Sequence, residues 1–192
     1  TAPSAPSITS VTDDVAPVTG PLVGGGSTND TDLMVRVSLS GTNAVAGDTI
    51  QLYNGTATGS QLGTSYTLTA TDVSNGFANV QTGALSNGVT YTITARVTDQ
   101  AGNQSSASGS FVITEDTALP SAPSITSVTD DVAPGTGTVA DNGFSNDATL
   151  TLTGTAEAGS TVTIYDSDGS TVVGSGVATG GNYTITTTAL AS

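Results

Sequence analysis

A block of fourteen residues occurs twice in this chain, and no other feature of the sequence constrains the fold as strongly. Residues 4–17 and 121–134 are identical, and the alignment continues without a gap to Asn29-Asp30 and Asn146-Asp147. The two copies are 117 residues apart, at positions 4 and 121. A solenoid repeat has a period of roughly 20–50 residues, whereas a whole small domain has about 100–150. The sequence therefore predicts a tandem array of similar domains.

Within each repeat, β-branched residues alternate with polar ones, which is typical of strands that have one face on a core and one in water. In residues 89–98, the residues Val89, Tyr91, Ile93, Ala95 and Val97 share one face. The predicted strands are 8–12, 32–39, 49–53, 64–70, 77–81, 89–98 and 110–114, then 149–153, 161–165, 170–178 and 182–187.

Seven short strands in about a hundred residues, separated by frequent turn signals, indicate an immunoglobulin-like β-sandwich. The predicted fold class is therefore all-β, with tandem sandwiches of about seven antiparallel strands each. Tyr91, near the start of the sixth strand, is interpreted either as a tyrosine corner or as ordinary core packing.

The predicted domain boundaries follow from the repeat and from two prolines. Residues 4–116 form the first domain, residues 117–123 a connector that contains Pro120 and Pro123, and residues 124–192 the second domain. The prolines make the connector semi-rigid, because each fixes its own φ and pushes its predecessor toward extended geometry. The second domain lacks counterparts of the last two strands. We expect either that the chain is part of a longer molecule or that another chain supplies those strands.

The charge of the chain excludes several classes of function. Sixteen acidic residues stand against two basic ones, Arg36 and Arg96, and give a net charge of −14. Such a surface repels nucleic acids and anionic membranes and attracts cations. Because the chain has no His and no Cys, Ser-His-Asp and Cys-His catalysis are impossible. A carboxylate pair for glycoside hydrolysis is left, but the acids lie in turns, so no enzymatic activity is predicted.

Acidic residues are concentrated in segments that the predicted topology places at the ends of the domains. The acids expected to converge at the C-terminal end of their domain are Asp13, Asp14, Asp30 and Asp32 in the first and Asp130, Asp131 and Asp147 in the second. Glu115 and Asp116 are assigned to the connector, and Glu157 to a turn of the second domain that faces it. Asp99 is assigned to a turn at the opposite end of the first domain.

Clustered carboxylates without neighbouring bases are protonated, kept apart or bridged by a hard cation. Calcium takes 6–8 oxygen ligands and tolerates irregular geometry, whereas soft metals have no preferred ligand in a chain without Cys or His. The sequence therefore predicts Ca²⁺ at these acids. The alternative is that they only keep the turns solvated, as Asp often does.

Four motifs resemble one known family. They are Asp-Thr-Ala-Leu-Pro at 116–120, Ser-Val-Thr-Asp-Asp at 10–14 and 127–131, Gly-Thr-Ala-Glu-Ala-Gly at 154–159 and Thr-Asp-Gln-Ala-Gly-Asn at 98–103. Together they resemble the bacterial Ig-like repeats that form the long stalks of giant RTX adhesins of Gram-negative bacteria. The resemblance extends over the whole chain.

The resemblance implies an extracellular, type I-secreted stalk on the bacterial surface, made rigid by calcium at and near the domain junctions. It implies that Asp116 and Glu157 share a junction ion and that Asp99 is the first domain's counterpart of a third donor. The first domain departs from the motif, since Val45 stands where the second domain has Glu157. That departure puts a junction site before the first domain in doubt unless Asp48 substitutes.

The leading prediction is thus a structural spacer of a biofilm or cell adhesin that projects a distal adhesive domain. Its expected partners are neighbouring repeats of the same chain and calcium ions, in a monomeric string without nucleic acid or membrane insertion. The alternative is that the first domain itself binds a glycan or a surface, with its longer turn at 41–48 and the region 77–79 as the candidates.

Overall fold

The computed structural model describes residues 1–55 and 59–190. The chain divides into two compact units, Thr1–Ala118 (unit 1) and Leu119–Ser192 (unit 2). The elements of unit 1 are β1 (Ser7–Asp13), β2 (Gly20–Pro21), β3 (Ser27–Thr28), β4 (Met34–Ser38), β5 (Thr49–Asn54), β6 (Ser60–Thr67), α1 (Ala70–Asn75), β7 (Phe77–Gln81), β8 (Thr90–Thr98) and β9 (Phe111–Glu115). The elements of unit 2 are β10 (Ser124–Asp130), β11 (Gly137–Thr138), β12 (Thr151–Thr155), β13 (Thr161–Tyr165), β14 (Val172–Val177) and β15 (Asn182–Thr186).

Unit 1 contains two sheets with a shared apolar core. One sheet has the strand order β2-β1-β4-β7 and the other β3-β9-β8-β5-β6. All pairs are antiparallel except β3 with β9. The core draws on both sheets: Val35 and Val37 of β4 are fully buried, as are Ile93 and Val97 of β8. These sheets confirm the prediction of an all-β, sandwich-type fold.

Unit 2 repeats the first of these sheets in the order β11-β10-β12-β15 and adds the hairpin β13–β14. The strands β10 and β11 begin and end 117 residues after β1 and β2, so the identical sequence block adopts the same pairing twice. A cluster of buried Val162, Ala178, Tyr183 and Ile185 forms the apolar centre of this unit. Nowhere in residues 1–55 and 59–190 is a helix long and apolar enough to cross a membrane.

The strand predicted at 64–70 is wrong at its C-terminal half, because a short helix begins there. The strand β6 ends at Thr67, and the helix α1 follows at Ala70–Asn75. The side chains and main-chain N–H groups of Thr69 and Asp72 bond reciprocally in a capping box, and Gly76 ends the helix in the left-handed region with φ 74°. Helix signals were therefore present in the sequence, since a Thr-x-x-Asp pattern and a C-terminal Gly favour a single turn.

The strand β8 matches its predicted alternation except at Val89 and Thr94. Tyr91, Ile93, Ala95 and Val97 are buried as predicted, but Val89 precedes the strand and is 38% exposed, and Thr94 is buried although it was predicted to face water. The hydroxyl of Tyr91 accepts a hydrogen bond of 2.8 Å from the main-chain N–H of Ser86. Tyr91 is thus a core residue whose hydroxyl also bonds the backbone five residues upstream, as a tyrosine corner does.

Candidate functional site

The segment that follows β1 is fixed by two buried carboxylates. Asp13, at the end of β1, accepts a hydrogen bond from the N–H of Val15 (2.8 Å) and one from the hydroxyl of Thr28 (2.6 Å). Asp30 accepts from the N–H groups of Asp32 (2.9 Å) and Asp14 (3.1 Å). Both carboxylates are almost completely buried. The fold therefore brings Asp13 and Asp30 to one end of unit 1, as the strand order required.

Thr28 connects these two acids, and the sequence analysis did not single it out. Its hydroxyl donates to the carboxylate of Asp13 and accepts from the main-chain N–H of Asp30 (3.1 Å). The signal was available, because a hydroxyl residue precedes the Asp by two positions in both repeats, as Thr28 and as Ser145. This arrangement makes the segments after β1 and after β3 a single hydrogen-bonded unit.

Unit 2 contains the same network at the positions 117 residues further on. Asp130 accepts from the N–H of Val132 (2.8 Å) and from the hydroxyl of Ser145 (2.6 Å). Asp147 accepts from the N–H groups of Thr149 (2.7 Å) and Asp131 (3.3 Å). These bonds, above all the one from Thr149, hold the pKa of the Asp147 carboxyl below its ordinary value.

Asp14, Asp32 and Asp131 take part in these networks through their main-chain N–H groups, and their side chains are exposed. The carboxylate of Asp32 accepts instead from the N–H of Gly83 (2.9 Å). Of the acids predicted to converge, the buried carboxylates are therefore Asp13 and Asp30 in unit 1 and Asp130 and Asp147 in unit 2.

Glu115 is the most unusual residue of the site. Its assignment to the connector is wrong, because Glu115 is the last residue of β9 and its side chain is completely buried. The alternation of β9 places it on the same face as the core residue Ile113. Neither carboxylate oxygen has a hydrogen-bond partner among the residues that the structure describes.

The pairing of β9 places Glu115 next to the acidic network. In the parallel pair β3–β9, Glu115 is the partner of Thr28, the residue whose hydroxyl bonds Asp13. Both side chains are buried, and neighbouring strands lie about 4.8 Å apart. Main-chain bonds from Glu115 N–H to Val89 (3.0 Å) and from Gly88 N–H to Glu115 (2.8 Å) hold the strand end in place.

The remaining predicted acids are structural or exposed within their own units. Asp99 accepts from the N–H groups of Ala101 (3.0 Å) and Asn103 (2.8 Å) and from the side chain of Asn103. These bonds, with the Asn103 side chain foremost, lower the pKa of Asp99. Asp116 is exposed and accepts from the N–H of Ala118 (3.1 Å), and the Glu157 side chain is exposed. The proposed pairing of Asp116 with Glu157 stays a prediction.

Among the described residues, no three Asp, Glu, His or Cys side chains form a group that could hold a metal ion, and this includes Asp13, Asp30 and Glu115. This end of unit 1 has two hydrogen-bonded carboxylates, and the buried oxygens of Glu115 have no hydrogen-bond partner in the described part of the chain. No protein-family model, curated protein or solved structure matches the chain.

Proposed function

We propose that the chain is a pair of structural spacer repeats from an extracellular bacterial surface adhesin, in which bound calcium stiffens the domain ends. The observation that carries this proposal is the repetition of the acidic network at equivalent positions of the two units. The identical block supplies Asp13 and Asp130, and a hydroxyl residue outside it, Thr28 or Ser145, completes the same arrangement in each unit. A hydrogen-bonded network that occurs at the same position in both units is expected for a property of the whole tandem array, such as its stiffness.

The charge distribution supports calcium as the stiffening ligand. With a net charge of −14 and two bases, the units repel one another, and the repulsion is relieved when cations bind. A ligand that binds only the folded state stabilises it by about 2.7 kcal/mol at a hundredfold excess over its Kd. Extracellular modules bind calcium with Kd values of roughly 10⁻⁴–10⁻³ M, which suits the millimolar calcium outside a cell.

Small-angle scattering and thermal melts of the chain test the proposal. We expect millimolar Ca²⁺, compared with EDTA, to raise the melting temperature and to narrow the distribution of particle dimensions around an extended form. Mg²⁺ at the same concentration serves as the control for ionic strength and charge. Identical scattering and melting in Ca²⁺ and EDTA would contradict a calcium-stiffened spacer.

The structure bears on one of the two candidate regions for the alternative, a glycan-binding role for unit 1. Glycan recognition at region 77–79 would require a free aromatic face on Phe77. The guanidinium of Arg36 lies 3.5 Å from the centroid of that ring, so this ring is already engaged in a cation–π contact. This contact counts against region 77–79 and leaves the turn at 41–48 as the candidate for the alternative.

A further inference from the structure

A groove in unit 1 lies where the terminal strands of its two sheets meet. The strand β7 is the last of one sheet and β6 the last of the other. The groove has a volume of about 390 Å³, and residues 63–66 of β6 and 79–81 of β7 line it. This volume is within the range of about 300–1,000 Å³ that is typical of small-molecule sites. The groove is formed without the ring of Phe77 and without the turn at 41–48.

A bulge in β6 shapes one wall of the groove. In the pairing of β5 with β6, the three residues 63–65 stand opposite Gln51 alone. The amide of Gln51 is buried and donates to the main-chain oxygens of Leu62 (2.8 Å) and Leu52 (2.9 Å), so it bonds the chain where the ladder is interrupted. Bulges are frequent next to active sites, because they redirect side chains. Here the bulge is held by a buried side chain and lines the groove.

Two glycines allow the bulge to approach the end of β7. A Cβ at Gly63 would lie 2.6 Å from the main-chain oxygen of Gln81, and a Cβ at Gly83 would lie 2.9 Å from the Cα of Gly63. The main chains of the two sheets are therefore in direct contact at this point. Both glycines line the groove, so this contact forms one of its ends.

The polar side chains along the groove are of the kinds that bind hydroxyl groups. Asn79 and Gln81 are exposed on β7, because the residues that alternate with them face the core. An amide side chain both donates and accepts hydrogen bonds. The carboxylate of Asp32 is oriented by a bond from the N–H of Gly83 to its Oδ1 (2.9 Å). Since a carboxylate has about four acceptor positions, Asp32 retains capacity for a ligand.

The groove also offers apolar surface. Met34, which lies opposite Gln81, is 36% exposed. The ring of Tyr66 is half-buried, and its hydroxyl donates to the carboxylate of Asp72 (3.0 Å), which fixes the ring. Among the described residues that line the groove, none is a base and one is an acid, so an anion would be repelled. Hydroxyl-binding groups beside apolar surface suit a neutral saccharide, which presents hydroxyl groups and C–H faces together.

Unit 2 has different residues at the equivalent positions. Threonines occupy the places of the three amide side chains, namely Thr163 in β13 and Thr184 and Thr186 in β15. The strand β14 also packs closely against β15, since a Cβ at Gly174 would lie 2.7 Å from Cγ2 of Ile185. The amide side chains are thus specific to unit 1, and unit 2 supplies an internal comparison.

We propose that the groove between β6 and β7 of unit 1 binds a neutral saccharide. Asp32, Asn79 and Gln81 bond its hydroxyl groups, and Met34 and Tyr66 contact its C–H faces. This binding site goes beyond the spacer function and does not depend on calcium. It adds a ligand-binding surface to one unit of the tandem array.

Titration of the whole ¹⁵N-labelled chain, followed by the NMR shifts of its main-chain amides, tests the proposal. The probes are the neutral oligosaccharides maltotriose, cellobiose, lactose and diacetylchitobiose, and triglycine represents an extended peptide at the strand edges. We expect at least one saccharide to cause saturable shifts confined to residues 32–34, 63–66 and 79–83. The same shifts should occur in EDTA and in Ca²⁺.

A double variant that introduces the residues of unit 2 gives the second readout. N79T/Q81T changes two exposed positions of a strand to a residue with high β-propensity, so the fold should be retained. It should weaken saccharide binding roughly tenfold or more, because each lost hydrogen bond weakens binding about 2–10-fold. T184A/T186A, at the equivalent positions of unit 2, is the matched control and should leave the affinity unchanged.

Each other outcome would overturn the saccharide site. Absence of shifts with every saccharide, or shifts that N79T/Q81T leaves unchanged, would show that the groove is not the binding site. Shifts at the groove with triglycine but with no saccharide would show that it accepts a peptide strand instead. None of these results bears on the calcium response, so the spacer proposal fails or stands separately.

Discussion

At one cross-strand pair, the large and the small residue lie on opposite strands in the two units, and this difference leads to a quantitative prediction. In unit 1, Val37 of β4 lies opposite Ala78 of β7. At the same position of unit 2, Gly154 of β12 lies opposite Tyr183 of β15. The large and the small residue have thus exchanged strands. We predict that Gly154→Val destabilises unit 2 and that it costs less in a chain that already carries Tyr183→Ala, so that the two effects are less than additive.

The geometry gives the expected magnitudes. A Cβ at position 154 would collide with the main-chain oxygen of Ser124 and would lie 2.5 Å from Cζ and Oη of Tyr183. The Tyr183 hydroxyl also donates to the Ser124 oxygen (3.0 Å). Overpacking costs about 1–3 kcal/mol and the lost hydrogen bond about 1 kcal/mol, so Gly154→Val should cost about 2–4 kcal/mol.

Tyr183→Ala alone removes a ring that is 4% exposed and should cost about 3–5 kcal/mol. In the double variant the clash with the ring is absent, and the Ser124 carbonyl is no longer held over position 154 by the hydroxyl. The pair then resembles Val37 and Ala78 of unit 1. We expect the double variant to lose less stability than the sum of the two single losses, by about 0.5–3 kcal/mol, the usual range for residues in contact.

Hydrogen exchange measured by mass spectrometry is the appropriate assay, because it reports the two units separately. Protection in β12 and β15 should fall about tenfold for each 1.4 kcal/mol lost, while β4 and β7 serve as the unchanged reference. Strictly additive effects in the double variant would refute the reasoning. A neutral Gly154→Val would refute it more directly, since the collision with Ser124 would then be relieved without cost.

Three further predictions concern single positions. Tyr91→Phe should lower the denaturant midpoint of unit 1 by an amount equivalent to about 1 kcal/mol, because a main-chain N–H loses its acceptor. Gly63→Ala should destabilise unit 1 by about 1–3 kcal/mol more than Gly88→Ala. Both glycines have positive φ, but a Cβ at Gly63 would lie 2.6 Å from a carbonyl oxygen, whereas a Cβ at Gly88 would meet nothing within 4 Å. Equal melting temperatures of the two variants would contradict this. Asp147 stabilises unit 2 above its ordinary pKa of 3.8, and this contribution should disappear as the pH falls through its lowered pKa; in Asp147→Asn, exchange in the 130–149 segment should lose that pH dependence.

The long strands could be predicted from the sequence because their burial is periodic. In β8, apolar residues at every second position face the core between the two sheets of unit 1. This period of two is visible in the sequence alone. The two-residue strands β2, β3 and β11 could not be predicted, because a pair of residues has no period. They depend on neighbouring strands that are distant in sequence, such as β9 beside β3.

The candidate site was predictable in its location and not in its chemistry. Strand order sufficed to bring Asp13 and Asp30 to one end of unit 1. β9 extends one residue beyond the predicted strand, to Glu115. This one residue places the Glu115 carboxylate in the interior instead of in solvent. The alternation of the strand indicated a core-facing position, since Glu115 follows Ile113 by two positions. Because Glu is rarely buried, however, the sequence analysis assigned Glu115 to the connector.

The two acidic networks are alike although the neighbouring strand carries Val37 in unit 1 and Gly154 in unit 2, which separates what the repeated block determines from what it does not. Every bond of the networks joins residues within 16 positions of one another. The local sequence therefore suffices to form the segment, whether Val37 or Gly154 lies in the adjacent strand.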